Sequence, residues 1–207
     1  NTTDEERESL LQPLRITGAH YTYLNYGRIE RTPNDKERAR LKREGAEHVE
    51  TVMGFPRYWD GDYWNFKIDE FIANNKFHLT KAKARRKGFS YKRGSQAANT
   101  INANKNVTVT LAADQMDYLT EKGATSYMVK VNLDWYEDKT YWRRGYLSEN
   151  FDKGIELGYK KSKEGQKAFG FRSKLLSVAI GKNESAAVGK KAIETDFEEA
   201  GKCFGEN

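Results

Sequence analysis

Alternating hydrophobic and polar positions predict the strands of this chain. Residues 107–112 alternate β-branched side chains and give the clearest strand. Residues 169–180 predict one long strand or a pair of strands, and residues 193–197 predict a shorter one. The short apolar run at 77–80 predicts a further strand, in which we expect His78 to be a packed core residue.

The remaining segments show either the periodicity of helices or clusters of aromatic residues. The predicted helices cover residues 35–43, 66–73, 90–103, 114–122 and 124–137. Residues 19–30 are rich in aromatic side chains and predict a short strand or a packed aromatic segment. The sequence Asp60-Gly61-Asp62 predicts a turn.

The order of the predicted elements indicates an α/β fold. From residue 77 onward the chain runs strand, loop, helix, strand and helix, which is the order of a βαβ unit. Right-handed crossovers bring the carboxyl ends of parallel strands to one edge of the sheet. We therefore expect the loops at 81–90, 112–114 and 198–201 to lie together, at the edge where ligands bind in such sheets.

Composition narrows the class of protein. The 207 residues suit one domain, and the 13% of aromatic residues exceeds what a disordered chain contains. The single cysteine, Cys203, excludes a disulfide framework and a cysteine-rich zinc site. No apolar run approaches the roughly 18 residues of a membrane span. We expect a folded domain in a reducing compartment, without a membrane partner, and a piece of a longer protein because Met is missing at its start.

Positive charge is concentrated in one place, residues 81–93, which we call the basic segment. The whole chain has a net charge of +6, whereas the basic segment alone holds seven Lys or Arg and no acidic residue. It precedes a predicted helix, whose N-terminus can bind phosphate. Gly88 can adopt the backbone that a phosphate cradle needs, and the hydroxyl of Ser90 can reach a phosphate-bound Mg²⁺.

The basic segment departs from the common phosphate-binding loop GxxxxGK[ST]. Phe89 stands in place of the lysine, and Lys83 stands in place of the first glycine. The alternative interpretation of the segment alone is therefore a solvated loop or a patch that binds nucleic acid.

Two carboxylates follow the strand at 193–197. An ATPase of the phosphate-loop type needs one carboxylate to hold Mg²⁺ through water and a second to polarise the attacking water. Glu198 and Glu199 offer this pair, although adjacent glutamates taken alone are also common on surfaces. The order of a basic glycine loop followed by a strand and two glutamates favours the ATPase.

At the level of these motifs the chain resembles the ATPase domain of the large terminase subunit, the DNA-packaging motor of tailed bacteriophages and herpesvirus-type viruses. Lys83-Ala-Arg-Arg-Lys-Gly-Phe-Ser90 is similar to the deviant Walker A loop of that family. Asp196-Phe197-Glu198-Glu199-Ala200-Gly201 is similar to its Walker B acid and catalytic glutamate. Residues 20–26 look like the aromatic element upstream of the ATPase core, and the resemblance covers residues 19–201.

The resemblance implies a fold and a division of the chain. The fold would be an α/β P-loop NTPase of the ASCE type, with a mainly parallel sheet flanked by helices. Residues 1–66 would form an aromatic-rich N-terminal extension that packs on the ATPase core and on the adenine side. Residues 67–207 would form the ATPase core, truncated after Walker B. The nuclease domain of the family would be absent, so no nuclease activity is expected.

The resemblance also assigns roles to single residues. The nucleotide-binding set would be Lys83, Ala84, Arg85, Arg86, Lys87, Gly88, Phe89, Ser90 and Tyr91. Within it, Lys83 would contact the β- and γ-phosphates, and Arg85 or Arg86 would stabilise the transferring charge. The adenine-side residues would be drawn from Tyr58, Trp59, Trp64 and Phe66.

The resemblance also implies that Ser90 and two further side chains would bind the metal and position the water. Ser90 would ligate Mg²⁺, and Glu198 would hold the Mg²⁺ through water. Glu199 would orient the attacking water.

The function implied is an ATP-hydrolysing motor that translocates double-stranded DNA into a procapsid, with ATP and Mg²⁺ as cofactors. Its partners would be the DNA, the portal protein, the small terminase subunit and further copies in a ring, expected to be a pentamer. It would act in the host cytoplasm and transiently at the portal vertex. The alternative is a nucleic-acid-binding module that uses the basic segment without ATPase chemistry.

Overall fold

The computed structural model describes residues 15–46, 48–82, 88–141, 146–148, 155–161, 168–181 and 192–198. The helices are α1 (Gly18–Tyr26), α2 (Asp35–Arg43), α3 (Asp60–Asn75), α4 (Phe89–Ala103), α5 (Asp117–Thr120) and α6 (Thr125–Lys139). The strands are β1 (Ile29–Arg31), β2 (Val52–Gly54), β3 (Thr108–Ala113), β4 (Tyr146–Ser148), β5 (Ile155–Lys161), β6 (Ala168–Ala179) and β7 (Glu194–Phe197).

Five strands form one mixed sheet in the order β4-β5-β6-β3-β7. β3 runs parallel to both of its neighbours, β6 and β7, whereas β5 is antiparallel to β4 and β6. The α/β class is confirmed as a mixed fold whose three parallel strands are flanked by helices, an arrangement compatible with a P-loop fold. The expectation of a mainly parallel sheet is too strong, because the segment between α6 and β6 returns as antiparallel strands.

β3 lies at the centre of the core because both of its faces are covered. Val109, Leu111, Ala112 and Ala113 are all buried, which is typical of a parallel strand between two layers of helices. The alternation of 107–112 therefore predicts the strand correctly. The largest cluster of buried apolar side chains joins this strand to α4, α6 and β6.

Helix α4 packs closely on α6 because its facing residues are small. A Cβ on Gly94 would lie 2.6 Å from the Cβ of Met128, closer than two carbon atoms can approach. Ala97 and Ala98 follow one turn later and are fully buried. The small-residue composition of 90–103 thus has a packing role, since it lets two helix backbones approach.

Several predicted elements are confirmed with shifts in their ends, the largest being the start of α3, which begins at Asp60 rather than at residue 66. α2 matches the predicted 35–43 and begins with a capping box. The Asn34 side chain accepts from the backbone N–H of Glu37, and the Glu37 carboxylate accepts from the backbone N–H of Asn34. The helices predicted at 66–73, 90–103 and 124–137, and the strands at 169–180 and 193–197, are present as α3, α4, α6, β6 and β7. β6 is one long strand.

Two predictions are wrong for physical reasons, and a third is right in part. The segment 19–30 begins as helix α1 rather than as a strand, because the Thr17 side chain caps its first turn by accepting from the backbone N–H of His20. The alternative of a packed aromatic segment is confirmed, since Tyr23 is buried against the ring of Phe66. Asp60-Gly61-Asp62 is the first turn of α3, where acidic residues suit the positive end of the helix dipole. Residues 77–80 form no strand, and His78 is exposed.

Within the described residues, no helix is both long enough and apolar enough to cross a membrane.

The close contact between α4 and α6 predicts how a methyl group added at Gly94 changes the stability of the protein. Gly94→Ala should lower the free energy of unfolding by about 1–3 kcal/mol, because Met128 and the backbone of α6 must move away. Gly18→Ala is the matched control, since a Cβ there meets nothing within 4 Å and helix α1 favours alanine. Urea unfolding of both variants measures the difference, and equal stabilities would contradict the close packing.

Candidate functional site

The N-terminus of α4 meets the end of β7 through one hydrogen bond between residues 108 positions apart. The Ser90 hydroxyl donates to Oε1 of Glu198 over 3.3 Å. Glu198 is held at this level because its backbone N–H donates to the carbonyl of Ala112 over 2.8 Å, one step beyond the β3–β7 ladder. For these residues, the prediction that the loops lie together at one sheet edge is confirmed.

Gly88 shapes the start of α4. It is the N-cap residue and has φ +67° and ψ 22°, the left-handed conformation that glycine adopts without steric cost. Gly88 has no side chain with which to cap the helix, and the N–H groups of a first helical turn attract anions. The predicted role of Gly88 in a phosphate cradle is consistent with this backbone.

A third side chain at the site, Thr125, was missed by sequence reasoning. Its hydroxyl donates to Oε2 of Glu198 over 3.2 Å, so each oxygen of this carboxylate accepts from a hydroxyl. Thr125 is the first residue of α6 and is buried. The signal that could have found it is a hydroxyl at a predicted helix start shortly after the strand β3.

Three cations of the basic segment form ion pairs inside the protein. Lys81 pairs with Asp69 of α3, and Lys92 pairs with Asp62 of the same helix. Arg93 pairs with Glu194 and Asp196 of β7. Nearly half of the positive charge in the segment is therefore neutralised by neighbouring carboxylates.

The Lys92–Asp62 pair is almost completely desolvated. Lys92 is 3% exposed and Asp62 is 6% exposed, with 2.5 Å between Nζ and Oδ1. The ammonium also lies 4.8 Å from the ring centre of Phe89 and 5.5 Å from that of Trp59. A charge buried in this way is tolerated only with its partner in place. The pair thus locks the first turn of α3 to α4.

The carboxylate of Asp196 on β7 is subject to two opposing influences. Burial raises the pKa of Asp196 to about 6, although the positive charge of Arg93 acts against that rise. The Asp196 side chain contacts Arg93 of α4 and is 30% exposed, because residues 194, 196 and 198 lie on the inward, half-buried face of the strand and 195 and 197 are exposed.

The proposed adenine-side aromatics occupy different environments. Phe66 is buried and stacks on His20 with 4.9 Å between ring centres, so it is part of the core. Tyr58 also stacks on His20, with 5.7 Å between ring centres, and Trp64 is exposed beside Tyr63. Trp59 lies near Lys92, in the described part of the basic segment.

The donor atoms at the site fit Mg²⁺. Ser90 and Glu198 offer a hydroxyl and a carboxylate, the hard oxygen ligands that this ion prefers, and Mg²⁺ keeps several waters and takes substrate phosphates as further ligands. The described residues contain no group of three or more His, Cys, Asp or Glu that could form a metal cage. The arrangement suits a metal shared with a phosphate ligand.

Six of the predicted site residues lie outside the described residues. They are Lys83, Ala84, Arg85, Arg86, Lys87 and Glu199. Their roles stay predictions. Tyr91 is described and contacts Glu30, with 3.5 Å between the phenol and the carboxylate.

Comparison of the chain with known proteins identifies no related protein. The chain matches no protein-family model, and no curated protein and no solved structure shows significant similarity to it.

Breaking the desolvated Lys92–Asp62 pair should cause a large loss of stability, and a second substitution should restore most of it. Lys92→Met should lower the free energy of unfolding by about 3–5 kcal/mol, because Asp62 is left buried without its partner. The double variant Lys92→Met/Asp62→Leu should recover most of this loss. Lys67→Met, which breaks the exposed pair with Glu70 on α3, should cost less than about 1 kcal/mol. Denaturant titration measures all three, and a small effect of Lys92→Met contradicts the burial.

His20 predicts a pH dependence of stability. Burial lowers the pKa of His20 below its usual value of 6.5, and Lys92 acts in the same direction while Asp62 opposes it. As the pH falls below about 6.5, the unfolded chain binds the proton first, so the folded state loses stability. His20→Phe should remove this part of the loss between about pH 7.5 and about pH 5.5.

The matched control is the exposed His78. Urea unfolding of wild type, His20→Phe and His78→Gln at both pH values compares the losses. We expect a smaller loss in His20→Phe only. An equal loss in all three proteins would show that His20 is not held neutral by the fold.

Proposed function

We propose that this chain is an ATP-hydrolysing domain that uses ATP and Mg²⁺ at the junction of α4, β7 and α6. The observation that carries the proposal is the hydrogen bond between Ser90 and Glu198. A hydroxyl at the start of a helix after a glycine turn, facing a carboxylate at the end of a parallel strand, is the arrangement that a Walker A serine and a Walker B acid adopt.

The described residues support three parts of this chemistry. The N-terminus of α4 offers N–H groups and a positive dipole end to the β- and γ-phosphates. Ser90 would ligate Mg²⁺ and Glu198 would hold it through water, and the bound ion would supply positive charge beside the phosphates. Thr125 holds the second oxygen of Glu198 and so fixes the plane of the carboxylate.

The remaining parts rest on the sequence. Lys83 would reach the β- and γ-phosphates, and Arg85 or Arg86 would stabilise charge during transfer. Glu199, the residue after Glu198, would orient the attacking water. These assignments follow the resemblance of residues 83–90 and 196–201 to the large terminase subunit.

The finer proposal is a viral DNA-packaging motor, and it rests on the same resemblance. In this proposal the domain belongs to a large terminase subunit that translocates double-stranded DNA. It would work as a ring, expected to be a pentamer, with the portal protein and the small terminase subunit. It would act in the host cytoplasm and transiently at the portal vertex.

Three of the seven cations of the basic segment are engaged in ion pairs, which weighs against the alternative, a nucleic-acid-binding module without ATPase chemistry. Lys81, Lys92 and Arg93 bind carboxylates of α3 and β7. A loop that grips a DNA backbone needs cations exposed to phosphate, because the affinity comes from releasing counterions. These three cations are not offered to DNA in that way.

The first test is ligand-dependent stability. ATP with Mg²⁺ should raise the melting temperature of the protein, since a ligand at about 100 times its Kd adds about 2.7 kcal/mol to the folded state. Ser90→Ala should lose the part of this rise that depends on Mg²⁺. Ser95→Ala makes the same chemical change farther along α4 and should behave as wild type.

A second measurement separates the two functions. Tight binding of double-stranded DNA that is lost in Arg85→Ala/Arg86→Ala, by a protein that does not respond to ATP, would favour the nucleic-acid-binding module. Hydrolysis of ATP at the wild-type rate by Glu199→Ala would instead contradict the role given to that residue alone.

A further inference from the structure

Helix α4 and strand β7 face each other through two rows of polar side chains. Ser90 and Arg93 are three positions apart and lie on one face of the helix. Glu194, Asp196 and Glu198 are two positions apart and lie on the inward face of the strand and its extension. The side chains on one row are therefore spaced to meet those on the other.

The contacts between α4 and β7 fall into two groups, or levels, one helical turn apart along α4. At the carboxyl end of β7, the Ser90 hydroxyl donates to Glu198 over 3.3 Å. One helical turn farther along α4, Arg93 pairs with Glu194, with 2.7 Å between Nη2 and Oε1, and also with Asp196. Arg93 is partly buried with a side-chain exposure of 18%, so solvent screens these pairs only in part.

The second level matters because β7 is short, with four residues, and, among the described strands, pairs with β3 alone. Its backbone bonds to β3 extend from Ile193 to Glu198. A short strand at a sheet edge can shift or fray, and a shift of one residue would turn Glu198 to the opposite face.

We propose that Arg93 is a positioning residue, which holds β7 against α4 so that the Glu198 carboxylate stays at the Ser90 hydroxyl. The inference rests on the proposed function, because the consequence of this position is the binding of Mg²⁺ together with a nucleotide. The contacts of Arg93 are to Glu194, Asp196 and Gln96, so the role inferred for it is to position β7 and not to bind the ligand. Its planar guanidinium suits the task, since it can bind two carboxylates of one strand at once.

The test compares Arg93→Met with wild type by the melting temperature in ATP with EDTA and in ATP with increasing Mg²⁺. Wild type should show a rise with ATP alone and a further rise with Mg²⁺. In Arg93→Met the rise with ATP alone should remain. The Mg²⁺ concentration that gives half of the further rise should increase at least about tenfold, as is common when a partner behind a metal ligand is removed.

The matched control is Arg31→Met. Arg31 has a similar exposure of 17% and binds both oxygens of Glu37, but that carboxylate belongs to α2. Its loss should lower the melting temperature without changing the Mg²⁺ concentration required. A general loss of stability therefore cannot imitate the expected result.

A double variant separates position from charge. Arg93→Met leaves Glu194 and Asp196 without a countercharge, whereas Arg93→Met/Asp196→Asn removes one charge of each sign. If Arg93 acts by position, the double variant stays impaired in Mg²⁺ dependence. If the double variant returns to the wild-type Mg²⁺ dependence, Arg93 acts by charge alone and the inference is overturned.

The remaining outcomes are also decisive. If Arg93→Met does not fold, Glu194→Gln removes one of its two partners at the half-exposed end of the strand and should give a smaller increase in the same direction. An unchanged Mg²⁺ dependence in the folded variant contradicts the inference and leaves the proposed function intact. A wild-type protein that does not respond to ATP and Mg²⁺ contradicts the proposed function itself.

Discussion

Burial of helix α4 is the constraint on which the rest of the structure depends. The helix contacts α1, α6, β3 and β6, and its polar side chains reach β7 and α3. Because so few of its faces meet solvent, each long polar side chain on it needs a partner from another element. Lys92 obtains Asp62 and Arg93 obtains Glu194 and Asp196, which fixes α3 and β7 around it.

The same constraint assembles the candidate site. Ser90 starts the helix that Lys92 and Arg93 anchor, and Glu198 ends the strand that Arg93 binds. Thr125 comes from α6, which approaches because Gly94 leaves room for it. The hydroxyls and the carboxylate are thus brought together by packing interactions of the neighbouring residues, which hold the groups in place before any ligand binds.

The success of sequence prediction follows the strength of local signals. β3 and α2 were predictable, since one has a β-branched alternation and the other a capping box. Residues 19–26 form a helix rather than a strand because the cap at Thr17 favours the helix, while the aromatic pattern correctly indicates packing, as Tyr23 shows against Phe66. Residues 77–80 are apolar but gain no strand partner among the described residues, and a strand is stable only when it is paired.

By itself, the sequence determined which chemical groups are available: a glycine at a helix start, a hydroxyl after it, and carboxylates after a strand. Only the tertiary structure decided that Ser90 meets Glu198, that Thr125 joins them, and that much of the basic segment binds carboxylates of the protein itself. The reason is that these contacts join residues far apart in the chain. Their distances depend on strand register and helix packing, which no local pattern of residues encodes.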